Sequence, residues 1–468
     1  MRAPRRDYVL NLPFDFGLWA TQLFVSQTAT VVKPSTVFEC RMSMRDCPVE
    51  LLALVVERVS SDAGLRSLRA VDRTFCTLAT PRAFRRAYVT NSLPSALGLK
   101  ALMECERLAN TVETIVFRWS NASQHMEDRA ERKATYIALV TVFAQLHKFP
   151  ALSNVELRFF PGAEPPPLMV DEDGNADFSG HPSEAGLMQS TIMQSLLRNP
   201  SLPRLSSLSL ANLIGFPFPY YESPSFAAML SSLEHLHVSL HGMHSLCGPR
   251  RAEVWDWMWQ ETIPIHFLRP PQPHLASLSL TSDAPVGSSP RLDLSGLFFP
   301  ALRRLELGGI MFDDHRRIED FIVRHGKTLT TLVLDSCPMY IPPPGEMPTR
   351  PWHDVCDRFA EGLEALVDLQ IFLRTGWGLD DLKRSDEVRL TYEVSLFAYG
   401  HSRGDCGFAV EALDRPAIDN LFTVVRERRK KHAELPPPVV ATEEESPRAH
   451  LDATETVDQS FTVPIHWV

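Results

Sequence analysis

The sequence predicts an α/β protein in which a small all-α module is followed by a repetitive array that forms a curved parallel sheet with helices on its convex side. One observation is the recurrence of L-x-x-L-x-L segments, whose first leucines are Leu205, Leu233, Leu275, Leu302, Leu329 and Leu366. The other is that an apolar helical face precedes these segments. Because one helix and one strand cannot bury their apolar sides alone, such units have to stack on one another.

Strands and helices alternate along the array. Side chains alternate along a strand, so Leu208 and Leu210 are expected to face the helices and Ser207 and Ser209 the open side. Strands are predicted at residues 112–117, 152–157, 205–213, 233–238, 275–280, 302–310, 329–337 and 366–371. Helices are predicted around residues 99–103, 137–146, 187–197, 224–231 and 313–325, the fourth with Ser223 as N-cap and Pro224 in the first turn.

The helix before the strand at Leu329 has the clearest ends. Asp313 or Asp314 is its expected N-cap, and Gly326 is expected to end it in the left-handed conformation. His325 is predicted to be a helix-end residue whose charge suits the dipole, rather than a metal ligand.

The spacing of the repeats allows a comparison with a known family. Leu205 and Leu233 are 28 residues apart, and Leu302 and Leu329 are 27 apart, within the 20 to 29 residues of leucine-rich repeats. Cys337 stands where that family places Asn or Cys, and Asn212 stands one residue short of it. The array therefore resembles a degenerate leucine-rich-repeat solenoid.

In such a solenoid the outward side chains of the strands form a concave face. If a target protein is bound there, the residues predicted to contact it are His235, His237, Ser279, Arg304, Glu306, Val333 and Asp335. The alternative for each of them is a solvated face with no ligand.

The stretch from residue 44 to 91 reads as two or three short helices. Pro48 suits a helix start, and apolar residues follow at helical spacing up to Val59. A second periodic run begins at Leu65 and is expected to stop at Pro81. So small a segment buries little surface by itself.

The residues Cys47-Pro48-Val49-Glu50-Leu51-Leu52, followed by Leu68 to Phe75, resemble a fungal-type F-box. The resemblance implies docking on the Skp adaptor of cullin-RING ubiquitin ligases, with the repeats selecting the substrate. The adaptor-binding residues would be Cys47, Pro48, Val49, Leu51, Leu52, Val55, Leu68, Val71 and Phe75. Family members have leucine and serine at the positions of Cys47 and Asp72, so adaptor affinity is expected to be lower than in a typical member.

Two other interpretations stand beside this one. The apolar helix faces can be core packing of an N-terminal cap, which would leave a leucine-rich-repeat interaction scaffold without ligase association. An enzyme with a site assembled across repeats is the third class, but the sequence has no phosphate-binding loop, nucleotide-binding glycine pattern, zinc-protease motif or nucleophile elbow. We therefore predict a non-catalytic protein without cofactor or metal.

Composition limits the kinds of partner that the chain is expected to bind and the compartment in which it is expected to reside. The net charge of −10 argues against nucleic acid, and no apolar run is long enough for a membrane span. The eight cysteines are scattered singly, which is typical of a reduced cytoplasmic or nuclear protein. His241, His244 and Cys247 are too few for a zinc site.

The remaining segments have simpler interpretations. Residues 1–43 are expected to be a poorly ordered extension, and residues 435–468 an acidic, proline-bearing disordered tail. Residues 161–186 are expected to form a loop. Its Asp171, Asp173, Asn175 and Asp177 resemble a calcium-binding pattern, but the glycine and glutamate of that pattern are missing. The repeats are assigned to 92–400 and a C-terminal cap with a helix to 401–434. A strand at 387–396 is expected to close the sheet, and the basic run at 426–431 is either a nuclear-import signal or a solvated helix end. Trp255 and Trp259 should share one helix face, either as an interface or as core, while Trp257 points elsewhere.

Overall fold

The computed structural model of this 468-residue chain describes residues 47–120, 129–160, 169–170, 176–177, 184–200, 202, 204–241, 254–287, 290–313, 317–341, 350–372, 374–375, 383–384, 390–397, 400–403 and 411–434. The chain divides into two compact units, Met1–Ala79 and Thr80–Val468. The extension 1–43, most of the loop 161–186, the calcium-like Asp171, Asp173 and Asn175, the pair His244 and Cys247, and the tail 435–468 lie outside the described residues.

The first unit contains three helices, and side-chain hydrogen bonds cap the starts of the second and third. They are α1 (Val49–Arg58), α2 (Asp62–Arg69) and α3 (Arg73–Phe84), which continues beyond the unit. Pro48 precedes α1, the Ser61 hydroxyl accepts from the Gly64 amide at 3.1 Å, and the Asp72 carboxylate accepts from the Phe75 amide at 2.8 Å. The side-chain oxygens of Ser61 and Asp72 satisfy amides that the first turn leaves unpaired.

One helix end differs from the prediction. The second periodic run does not stop at Pro81, because α3 includes this proline and ends at Phe84. The run is also divided into two helices by residues 70–72. Residues Arg86–Thr90, expected in the helical module, form a strand of the sheet instead.

The second unit alternates strands with helices. Its strands are β1 (Arg86–Thr90), β2 (Thr114–Arg118), β3 (Asn154–Arg158), β4 (Met169–Val170), β5 (Ala176–Asp177), β6 (Ser207–Ile214), β7 (His235–His241), β8 (Ser277–Val286), β9 (Arg304–Ile310), β10 (Thr331–Asp335), β11 (Pro338–Ile341), β12 (Asp368–Phe372), β13 (Arg374–Thr375), β14 (Lys383–Arg384), β15 (Thr391–Phe397) and β16 (Gly400–Arg403). Its helices are α4 (Leu93–Glu104), α5 (Glu106–Ala109), α6 (Arg129–Phe143), α7 (Glu184–Leu196), α8 (Pro224–Ser231), a π-helix (Met258–Leu268), α9 (Ile318–Arg324), α10 (Trp352–Gly362) and α11 (Glu411–Glu434).

Nine of the described strands form one parallel sheet in the order β1-β2-β3-β6-β7-β8-β9-β10-β12. The predicted α/β class, with a parallel sheet and helices, is confirmed. Each strand lies beside the previous strand of the sheet, and the register aligns the leucine patterns. One aligned row contains Ala87, Ile115, Val155, Leu208, Leu236, Leu278, Leu305, Leu332 and Leu369.

That row is buried, and it belongs to one hydrophobic cluster with the apolar faces of the helices. The row two residues further along, from Val89 to Ile371, belongs to the same cluster. Most of the intervening residues are polar, Val116 and Val333 being exceptions, so the helices cover one face of the sheet. The other face, which we call the polar face, holds the aligned rows of Arg86, His235 and Arg304 and of Tyr88, His237 and Glu306.

The tryptophan cluster belongs mainly to the core. Trp255 and Trp259 are buried and meet edge to face with ring centroids 5.9 Å apart. Trp255 packs so closely on Gly215 that a Cβ atom there would stand 2.1 Å from its ring. Trp257 is 37% exposed and donates to Glu261 at 2.9 Å. The core interpretation therefore holds for two of the three tryptophans.

The predicted cap of α8 is present, whereas both predicted ends of α9 differ from the structure. Ser223 caps α8, because its hydroxyl accepts from the Phe226 amide at 3.2 Å. Helix α9, however, begins at Ile318 after Arg317, and Gly326 does not have a positive φ. Glycine is required there because a Cβ atom would stand 1.9 Å from the carbonyl oxygen of Gly362.

Helix α11 packs along the end of the array. Its Arg429 guanidinium donates to the carbonyl of Val367 at 2.7 Å and to Asp368 at 2.9 Å, next to the start of β12. Arg428 donates to the Ala360 carbonyl near the end of α10. Two cations of the basic run thus bind backbone at this end of the sheet.

The strand predicted at 387–396 does not close the sheet: it is β15, which pairs with β11 and β16 in a separate sheet.

Candidate protein-binding surfaces

The three N-terminal helices have a small core of their own. Six apolar side chains are buried there and lie outside the hydrophobic cluster of the sheet: Leu52, Val56, Leu65, Leu68, Phe75 and Ala79. Their spacing along α1 to α3 is the 3-to-4-residue repeat of an inward helix face. Leu52, Leu68 and Phe75 therefore lie in this core and not on the surface of the three helices.

The opposite face of α1 is apolar as well. Leu51 is 44% exposed, Leu54 is 53% exposed, and Val55 is half-buried. Successive residues are 100° apart on a helix, so these three side chains lie within one face, opposite Leu52 and Val56. We call Leu51, Leu54 and Val55 the apolar stripe.

The other residues predicted to bind the adaptor flank the helices. Pro48, Val49 and Val71 are exposed, and Cys47 is half-buried. Val49 and Val71 expose about half of their surface, 49% and 52%. Six of the nine predicted residues thus remain accessible or partly so.

The sequence interpretation missed Leu54. The signal was present, because Leu51 to Val56 is apolar at every position. A helix that is apolar all round either lies in a core or uses its second face for another contact.

The polar face of the sheet holds most of the predicted target-binding residues. His235 and Arg304 are exposed in one aligned row, and His237 and Glu306 are half-buried in the next. The His237 ring nitrogen Nδ1 and the Ser279 hydroxyl are 2.8 Å apart, while Arg304 donates to Glu306 at 3.2 Å. These neighbouring pairs form a polar surface across β7, β8 and β9.

Three predicted target contacts are buried. Val333 and Asp335 on β10 are each 1% exposed, and Ser279 is 9% exposed. Strand alternation correctly predicted the face of the sheet on which these three residues lie. Val333 and Asp335 are nevertheless buried and are not part of the accessible surface.

A cluster of charges on β1, β2 and β3 was not predicted. Arg86 donates to Glu156 at 2.9 Å, and Arg158 forms a second ion pair with the same carboxylate. The guanidinium carbons of Arg86 and Arg118 lie 5.9 Å and 5.2 Å from the centre of the Tyr88 ring. We call Arg86, Tyr88, Arg118, Glu156 and Arg158 the arginine cluster.

Buried titratable groups of the array act in packing. Burial raises the pKa of the Cys337 thiol to about 12, and its sulfur donates to the Leu307 carbonyl at 3.3 Å on the neighbouring strand. Burial likewise raises the pKa of Cys356 to about 12. Thiols with such pKa values are protonated at neutral pH, so neither is an activated nucleophile.

Asn212 also binds the backbone of the neighbouring strand's end. It has a positive φ of 58°, and its amide donates to the Phe159 carbonyl at 3.2 Å. Asparagine tolerates this conformation better than most residues.

Within the described ranges, no group of three or more His, Cys, Asp or Glu side chains could hold a metal ion. Over the same ranges, no helix has both the length and the apolar character that crossing a bilayer requires. Comparisons with protein-family models and with curated proteins find no match to this chain.

Proposed function

We propose that this chain is the substrate-recognition subunit of a Skp/cullin/F-box ubiquitin ligase. Its N-terminal helices dock on the Skp adaptor, and through it on cullin. The polar face of a leucine-rich-repeat array holds a target protein for modification. The chain itself carries out no chemistry in this proposal.

The observation that carries the proposal is the apolar stripe on α1. Complete burial of a leucine side chain stabilises a protein or a complex by roughly 1.5–3 kcal/mol. Leu51 and Leu54 are each about half exposed, so a partner that covered them would gain about half of this free energy from each. Contiguous exposed apolar side chains mark interaction sites, and a helix with an apolar face can bind in a hydrophobic groove of a partner protein. Pro48 and Val71 add further exposed apolar surface in the same unit.

The difference at Asp72 does not weaken the helix it starts. Serine and aspartate are both good N-caps, and the Asp72 carboxylate caps α3 in this chain. Cys47, by contrast, offers less apolar surface than the leucine of typical members. We place the expected loss of adaptor affinity at Cys47.

An interaction scaffold without ligase association is the alternative. The burial of Leu52, Leu68 and Phe75 favours it, because these residues are fully explained by packing. The apolar stripe is not explained in this way, and so we rank the adaptor function first.

A pull-down with purified Skp adaptor tests the proposal. Wild type should bind, and Leu51→Asp combined with Leu54→Asp should abolish binding, since two charges would enter an apolar contact. Ile137→Asp combined with Leu187→Asp is the matched control, because it adds the same two charges at positions that are 56% and 40% exposed in the second unit, and it should bind like wild type. Circular dichroism must show all variants folded; binding by the stripe variant would refute the assigned surface.

A further inference from the structure

The arginine cluster has more positive than negative charge at one end of the polar face. It contains three guanidinium groups and one carboxylate: Arg86 and Arg158 form ion pairs with Glu156, and Arg118 lies over the Tyr88 ring. The Arg86 and Arg118 side chains are exposed to solvent, and Arg158 is one-third exposed. The Glu156 side chain is only 9% exposed, so it is occupied in holding two of the arginines.

Two of these cations are placed where they repel. Arg118 on β2 and Arg158 on β3 are register partners in neighbouring strands. Like charges directly opposite each other in a sheet are unfavourable. Arg158 is compensated by Glu156, whereas no carboxylate among the described residues pairs with Arg118. An anion bound beside Arg118 would relieve this repulsion.

The geometry suits carboxylates of a polypeptide. Guanidinium groups bind carboxylates through paired N–H donors, and arginines on successive strands offer donors at the spacing of the sheet, about 4.8 Å. The chain as a whole carries a charge of −10. A local positive patch on such a chain orients an acidic partner toward this one surface.

Nucleic acid fits this surface less well. Proteins that bind single strands stack bases on free aromatic rings. Tyr88 is 36% exposed, and two guanidinium groups already lie against its ring. The chain also lacks the overall basic charge of nucleic-acid-binding domains.

We propose that the arginine cluster binds an acidic, Asp- and Glu-rich segment of the target protein. This inference rests on the proposed function, because it names the class of target segment that the polar face recognises. The acidic segment would bind at strands β1 to β3. The target-binding residues predicted from the sequence lie elsewhere, on β7 to β10.

Fluorescence anisotropy with a labelled deca-glutamate peptide tests the inference on the full chain. Wild type should bind the peptide at about 50 mM salt and lose it as salt is raised to about 500 mM. Arg118→Glu should weaken binding about tenfold or more. This variant should fold, because the new carboxylate would stand opposite Arg158 in register.

Arg415→Glu is the matched control. It changes the net charge by the same amount on an exposed position of α11, and the peptide affinity should stay at the wild-type value. Equal weakening in both variants would reduce the effect to net charge and overturn the inference. So would tighter binding of a ten-nucleotide oligothymidine, or no peptide binding by wild type at low salt. Adaptor pull-down with the same Arg118→Glu variant separates the two proposals, since adaptor binding should be unchanged.

Discussion

His325 shows how burial overrides a local rule at the scale of one residue. The end of a helix favours a positive charge, and this predicted a cationic helix-end residue. His325 does follow α9, but it is 2% exposed and packs against Phe298, Phe299 and Phe321. Its Nε2 accepts from the Phe299 amide at 3.0 Å, so the proton is on Nδ1, which donates to the Phe321 carbonyl at 2.8 Å. The imidazole is neutral.

A dependence of stability on pH follows from this neutral state. Burial lowers the pKa of His325 below its usual 6.5, so the unfolded chain binds a proton more readily than the folded chain. The free energy of unfolding is therefore unaffected by His325 above pH 6.5. It decreases as the pH drops from 6.5 toward the lowered pKa, by at most about 1.4 kcal/mol per pH unit.

Urea unfolding between pH 7 and pH 5 measures the effect. His325→Gln should lose less stability over this range than wild type, whereas His235→Gln, at an exposed position of the polar face, should follow the wild-type slope. Parallel slopes for wild type and His325→Gln would contradict the neutral, buried histidine.

Asp72 gives a second prediction at this scale. Asp72→Ala removes the acceptor of the Phe75 amide and should destabilise the start of α3 by about 1 kcal/mol, while Asp72→Ser should leave the stability within a few tenths of a kcal/mol of the wild-type value. Hydrogen exchange of the α3 amides should become about fivefold faster in the alanine variant only. Equal exchange in alanine and serine variants would mean that the cap does not hold the helix.

At the scale of elements, the strands with L-x-x-L-x-L patterns were predictable because their alternation is local. The strand β1 was not, because its sequence Arg-Ala-Tyr-Val-Thr carries no leucine pattern and is recognised only by pairing with β2. Helix α10 was missed for a similar reason: its apolar face of Trp352, Val355, Cys356 and Phe359 mixes residue types. Helix starts were predicted where a side-chain cap decides them, as at Ser223, and missed at α9, which follows Arg317.

Two glycines test how elements are packed. Gly215→Ala should destabilise the chain by about 1–3 kcal/mol, because the new methyl group would overlap the Trp255 ring. Gly98→Ala should stabilise it by about 0.5–1 kcal/mol, because Gly98 lies inside α4 with open space around it. Chemical denaturation of both variants measures the difference; destabilisation by both would contradict the packing described for Gly98.

At the scale of the whole molecule, the sequence predicted the class of fold and most of the core, and it missed what depends on distant neighbours. Arg86 and Glu156 are 70 residues apart and meet only because β1, β2 and β3 lie side by side. The burial of Val333 and Asp335 is equally invisible to strand alternation. The apolar stripe lay within reach of the sequence, since α1 is apolar on two faces.

Isothermal titration of the full chain with purified adaptor measures whether the N-terminal helices dock on the Skp adaptor as proposed. We expect one-to-one binding with a negative heat-capacity change, as burial of the apolar stripe requires, and loss of the heat signal in the Leu51→Asp, Leu54→Asp variant. The absence of any heat of binding by the folded wild-type chain at micromolar adaptor, over a range of temperatures, would contradict the proposed docking.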